Sequence, residues 1–263
     1  MNFYRLTILD LCVNSLLITT NGNTHLQRNQ RHRRPRKYTE FNSNVYLRSK
    51  SGKGNVKQTA TQKSASDFGR ASTLVKAIRL ALFPILQEHS ENAFYRRFTS
   101  KVNAATQTGN PQPKGSRYLI DGDLTLLDNI DSNTASPFGN YCSIRPTLQL
   151  TDTRQLNLAL PEFVLRDHIA KPAGAGHAEL VFLITAIKPQ TNAESHAELF
   201  RLALPLHAVG IATQEWTTAA LPEAHVVVAA SAVFYYRNNN LAGMVALIGK
   251  EWHPCEVRAV LMS

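Results

Sequence analysis

Cysteine is scarce: Cys12, Cys142 and Cys255 are the three in a chain of 263 residues. No two of them form a CxxC pair, so neither a dense disulfide framework nor a cysteine knuckle for zinc organises the protein. Charged residues make up only 18%, and acidic ones are the scarcer sign, 19 Asp and Glu against 29 Lys and Arg. The catalytic signatures are missing as well. There is no GxSxG elbow and no HExxH, and Ser49-Lys50-Ser51-Gly52-Lys53-Gly54 lacks both the first glycine and the hydroxyl residue of a phosphate loop. These absences leave no residue to name as catalytic and no cofactor to expect. At 43% hydrophobic, the chain has too much apolar content to be disordered throughout.

The net charge of +10 divides unevenly. Residues 1–114 hold 19 basic and 5 acidic groups, whereas residues 115–263 hold 10 basic and 14 acidic. Most of the excess falls between Arg28 and Lys63, where eleven Lys and Arg face one acid, Glu40. Its members are Arg28, Arg31, Arg33, Arg34, Arg36 and Lys37, then Arg48, Lys50, Lys53, Lys57 and Lys63. Like charges at this density repel, and the Asn, Gln, Ser and Gly between them offer little to bury, so residues 20–64 read as a disordered basic arm.

Ahead of the arm, Leu6–Ile18 is apolar but is interrupted by Asp10 and Asn14, has only Arg5 before it, and precedes no small-x-small cleavage pattern. It is also shorter than the ~20 residues that cross a bilayer. A cytoplasmic location is the expectation, with export through a weak signal as its competitor.

Beyond the arm the hydrophobic period becomes helical. Phe68, Ala71, Val75, Ile78, Leu82 and Ile85 recur every three or four residues, with Ser66 or Asp67 as a cap and Arg70, Lys76 and Arg79 off the apolar face. Pro84 predicts a break. A second helix carries Phe94, Phe98, Val102 and Ala105. Phe94, Tyr95 and Phe98 beside Arg96 and Arg97 could form an aromatic and basic surface, but phenylalanines at helical spacing read first as core. The helical pair spans 65–107, a Gly- and Pro-rich linker 108–116, and a β domain 117–263.

The β domain offers candidate strands at 118–127, 143–151, 155–160, 178–187, 197–206, 214–219, 226–236, 244–251 and 257–262. Leu156, Leu158 and Leu160 alternate with Asn157 and Ala159, a wet-and-dry rhythm. Strand count and spacing predict a mainly β protein, an antiparallel immunoglobulin-like β-sandwich preceded by two amphipathic helices. His177-Ala-Glu-Leu recurs as His196-Ala-Glu-Leu, which a hairpin explains. A metal site from His177, Glu179, His196 and Glu198 is opposed by antiparallel pairing, which sets the histidines at opposite ends. Asp121, Asp123, Asp128 and Asp131 lack calcium-loop spacing and read as a solvated edge and turn.

Phe68-Gly69-x-Ala71-Ser72 with Lys76, Ile78, Arg79, Ala81 and Leu82, preceded by Asn44-Val45-Tyr46-x-Arg48 and a glycine turn, resembles a family of uncharacterised bacterial proteins. Pro172-Ala-Gly-Ala-x-His177 and Ala232-Val-Phe-Tyr-Tyr236 are similar to it too. The resemblance implies a short hairpin and amphipathic helix before a C-terminal β-rich domain, with no enzymatic activity. Two functions follow. The first is a non-catalytic interaction or structural protein, using the sandwich as a binding surface and the helices for docking or self-association. The second is a nucleic-acid-associated protein whose phosphate contacts are Arg28, Arg31, Arg33, Arg34, Arg36, Lys37, Arg48, Lys50, Lys53 and Lys57.

Overall fold

The computed structural model describes residues 36–41, 44–49, 59–86, 92–239, 243–247 and 249–263. It divides into two compact units, Met1–Val56 and Lys57–Ser263. In the first, β1 (Arg36–Phe41) pairs antiparallel with β2 (Asn44–Ser49). This corrects the expectation of an irregular arm through these residues. Tyr38, Phe41, Val45, Tyr46 and Leu47 are strand formers set among the charges, and they favour a pleated backbone.

In the second unit α1 (Thr59–Ala81) starts before the caps expected at Ser66 and Asp67. Pro84 acts as anticipated: the helix stops at Ala81, and one separate turn, α2 (Phe83–Leu86), follows. The next helix is α3 (Asn92–Gln107). The stretch 118–127, read as a strand, instead forms the 3₁₀ turns Leu119–Asp121 and Leu124–Leu127. Its Asp-Gly-Asp chemistry decides this. Asp123 accepts from the Thr125 amide at 3.1 Å and from its hydroxyl at 2.6 Å, while Gly122 lies so close to α3 that a Cβ would sit 2.1 Å from the Ala105 carbonyl oxygen.

The remaining elements are β3 (Ile130–Asp131), α4 (Phe138–Tyr141), β4 (Thr147–Leu150), β5 (Leu156–Leu160), β6 (Phe163–Val164), α5 (Leu165–His168), β7 (His177–Lys188), β8 (Ala193–Pro205), β9 (Gly210–Ile211), β10 (Gln214–Thr217), β11 (Val226–Asn239), β12 (Gly243–Ala246) and β13 (Cys255–Met262). Where a strand was expected at 244–251, β12 is short and a 3₁₀ turn, Lys250–Trp252, follows it. All ladders are antiparallel. The main sheet runs β3-β13-β11-β7-β8, with β12 on the same side of β11 as β13. A smaller sheet runs β10-β5-β4, and β6 pairs with β9.

An immunoglobulin-like sandwich places two sheets face to face with their outer faces wet. Here the sheets have six and three strands, and the central strands β7 and β11 of the larger are buried on both faces. Val181, Leu183 and Ile187 of β7, Val226 and Val228 of β11 and Val257 of β13 share a core with α1 and α3. Leu180, Phe182, Ile184, Val227 and Val233 point the other way, into a second core with Leu156, Leu158 and Leu160 of β5. Trp216 of β10 lies 5.8 Å from the Phe182 ring and 6.2 Å from that of Phe200 on β8. The helices and the sheet are thus one packed body, with no junction at Gly115 where the composition changes. Among the described residues, no helix is long and apolar enough to cross a membrane.

The stretch 108–116, read as a linker, is fastened along its length. Asn110 donates to the Thr106 and Tyr118 carbonyls, both at 2.9 Å, and accepts from the Gln112 amide at 3.0 Å. Asp67 is no helix cap. It is fully buried and accepts from the amides of Gly115 at 2.9 Å and Arg117 at 3.1 Å. Arg70 pairs with Asp67 and donates to the Gly115 carbonyl at 2.6 Å and the Arg117 carbonyl at 3.0 Å. Gly115 suits this clasp because its φ is +99° and a Cβ would stand 2.9 Å from Lys63 Cγ.

Burial alone pushes the Asp67 carboxyl up, but the two amides and Arg70 outweigh it and hold the group below its ordinary value of 3.8. A depressed carboxyl contributes stability that is full above the ordinary value and lost as pH falls through the folded one. Asp67→Asn should therefore cost about 1–3 kcal/mol at pH 7. Urea unfolding will read this as a lower midpoint, and the gap between parent and variant will narrow as pH falls below 3.8.

Candidate functional site

Arg36, Lys37 and Arg48 lie in the hairpin, where the register sets Lys37 opposite Arg48 and Arg36 opposite Ser49. Three of the expected phosphate contacts are thus gathered at the end far from Phe41 and Asn44. The others, Arg28, Arg31, Arg33, Arg34, Lys50, Lys53 and Lys57, lie outside the described residues.

A second basic surface is built by the helices. Together α1 and α3 carry Lys63, Arg70, Lys76, Arg79, Arg96, Arg97 and Lys101 and one acid, Asp67. That acid is buried and already engaged, so it offers the outer face no counter-charge. The apolar faces of both helices point to the sheet, through Ala71, Leu74, Val75 and Ile78 on α1 and Phe94, Phe98, Val102 and Ala105 on α3. Helical geometry then turns Lys76, Arg79, Arg96 and Lys101 outward, and all four are exposed.

Phe68 departs from the expected apolar face. Successive helical residues are about 100° apart, so burying Asp67 swings its neighbour away from the core. Phe68 is 49% exposed. It borders a groove of about 400 Å³ between α1 and α3, lined also by Tyr95, Arg96, Thr99, Ser100 and Asn103. Tyr95 is held from two sides: the Arg79 guanidinium lies over its ring at 4.1 Å, and the buried Phe94 ring is 5.1 Å away. Phe94 stacks on Phe98 at 5.5 Å, which ties this surface aromatic to the core. Thr99 donates to the Tyr95 carbonyl at 2.7 Å. Lys76 and Arg96 have no ion-pair partner among the described residues, and no carboxylate lines the groove.

Other constellations are engaged structurally. Glu179 takes Tyr236 at 3.2 Å and Arg201 at 3.5 Å, while Glu198 takes His196 at 2.7 Å and the Ala219 amide at 2.8 Å. The register puts His177 opposite Pro205 and His196 opposite Ala186, at different ends of the β7–β8 pair. Asp131 accepts from the Phe138 amide at 2.7 Å. Cys142 and Cys255 are buried free thiols, each pushed up to about 12 chiefly by burial, which suppresses the thiolate.

A serine and histidine do meet. Ser143 Oγ is 2.9 Å from His168 Nδ1, where grooves of about 780 and 280 Å³ share Asp167 and His168. Nucleophilic activation requires a third group to orient the imidazole. Among the described residues no carboxylate bonds to that ring, and the Ser143 amide already donates to the His168 carbonyl at 2.9 Å. The pair fastens two adjoining backbone segments beside the Cys142–Ile169 bridge.

Glu256 is a buried carboxylate of β13, set between β3 and β11, 2% exposed and paired with Arg145. No protein-family model, curated protein or solved structure matches this chain.

Burial raises the Glu256 carboxyl against the pull of Arg145. A raised carboxyl favours the fold most below its unfolded value and progressively less as pH rises through the folded one. Arg145→Met leaves that charge unpaired and should cost about 3–5 kcal/mol at pH 7. Adding Glu256→Gln should return part of it, and the single variant should regain stability on mild acidification, both read by urea unfolding.

Proposed function

We propose that this protein is a non-catalytic nucleic-acid-binding protein that neutralises phosphates with the outer face of α1 and α3. The observation that carries this reading is the seven-to-one excess of basic over acidic residues on these helices, with the single acid buried. A face on which Lys76, Arg96 and Lys101 have no counter-charge among the described residues repels itself, and a polyanion relieves that repulsion by releasing its own counterions. The basic residues ahead of α1, Arg36, Lys37 and Arg48 with Arg28, Arg31, Arg33, Arg34, Lys50, Lys53 and Lys57, are proposed as further phosphate contacts.

A second reading, a protein partner added to the sheet, is favoured by β8. It is thirteen residues long and stands at the sheet edge. Exposed strand edges accept an added strand.

The test is fluorescence anisotropy with labelled oligonucleotides and the full chain at 50 and 200 mM salt, conditions between which phosphate-driven affinity falls steeply. The combined variant Lys76→Glu, Arg96→Glu and Lys101→Glu should bind at least ~10-fold more weakly and flatten the salt slope by about 3. Its thermal midpoint should change little, since all three side chains are exposed. No binding by the parent at 50 mM salt would discard this reading.

A further inference from the structure

We infer that the groove between α1 and α3 is a stacking site for an unpaired base, which makes single-stranded nucleic acid the ligand of the basic helical face. The inference rests on the phosphate-binding reading and adds what a charged face by itself does not specify. Phosphate contacts hold single strands and duplexes alike, whereas an exposed ring beside them selects bases that have left a stack.

The groove supplies each part of such a site. Phe68 presents a large apolar ring that is 49% exposed, on a rigid helix, at a position where the core does not use it. Tyr95 of α3 lines the same groove, with the Arg79 guanidinium over its ring at 4.1 Å and the Phe94 ring at 5.1 Å. Ser100 and Asn103 bring polar side chains to the same groove, able to meet the edge of a base. Arg96 lines it, and Lys76 stands one turn of α1 beyond Ser72, on the stripe that continues from Phe68.

Charge identifies the occupant. A peptide inserting an apolar side chain would suit the ring equally well, but it gains nothing from a rim that is basic and, among the described residues, free of carboxylates. A nucleotide uses both features at once: its base takes the aromatic wall and its phosphate takes the cations. A duplex keeps its bases stacked and reaches only the cations.

The experiment compares labelled oligothymidine with a duplex of the same length, using the full chain and anisotropy at low salt. The single strand should bind more tightly than the duplex. Phe68→Ala should weaken the single strand about 5- to 150-fold, the range for loss of one base–aromatic contact, and leave the duplex unchanged. Phe68→Trp should keep the preference. A 5-iodouracil oligonucleotide should photo-crosslink to Phe68 or Tyr95, located by peptide mass spectrometry. If strand and duplex bind equally and Phe68→Ala changes neither, the stacking site is wrong while the phosphate face stands. An equal loss for both ligands likewise overturns it. If neither nucleic acid binds even at low salt, both readings fall together.

Discussion

The constraint on which the structure depends is that β7 and β11 are apolar on both faces. Val181 to Ile184 and Val226 to Ala230 are unbroken apolar runs, and every residue in them is buried. A sheet with two dry faces must be covered twice. One cover is the β10-β5-β4 sheet, through Leu156, Leu158 and Leu160; the other is α1 and α3. Neither helix has another place to bury its apolar face, so the N-terminal helices and the C-terminal strands form a single folding unit despite their opposite charge balance.

The clasp made by Asp67 and Arg70 fixes how that second cover sits. Between them these side chains satisfy the amides and carbonyls of both Gly115 and Arg117. A carboxylate taken fully out of water is tolerable only with such partners. Having them, it sets the rotation of α1 about its axis. Leu74 and Ile78 turn inward and Phe68 outward, and the positive side chains are left together on the far side.

The proposed function rests on this division of labour. The helices spend their apolar side on the sheet and present the other side to solvent as cations around an aromatic groove. The β part carries the acids, many in local structural duties: Asp123 caps a turn, Asp131 holds a loop, and Glu256 pairs with Arg145.

Much of this was legible in the chain. The helical period from Ala71 to Leu82, the break at Pro84 and the long strands were read from spacing, and Phe94 and Phe98 were read as core. The stretch 118–127 was misread because alternating Leu and Asp resemble a strand, whereas Asp123 and Gly122 favour tight turns. The sandwich reading missed that continuous apolar runs, unlike the alternation at Leu156–Leu160, indicate burial on two faces. The candidate site is half legible: the excess of Lys and Arg is plain in the chain, but its densest run lies ahead of α1 and not on the helices.

The sequence by itself determined the helical period of α1 and α3, the long strands, the charge asymmetry and the scarcity of thiols, because each depends on residue type or on spacing within one segment. Tertiary structure alone decided which side of α1 is buried, which carboxylates are occupied and that Phe68 and Tyr95 share a groove. Those outcomes depend on contacts between residues far apart in the chain: Asp67 bonds to Gly115 and Arg117 and is buried with Ala71, Leu74 and Ile78, which leaves its neighbour Phe68 at the surface.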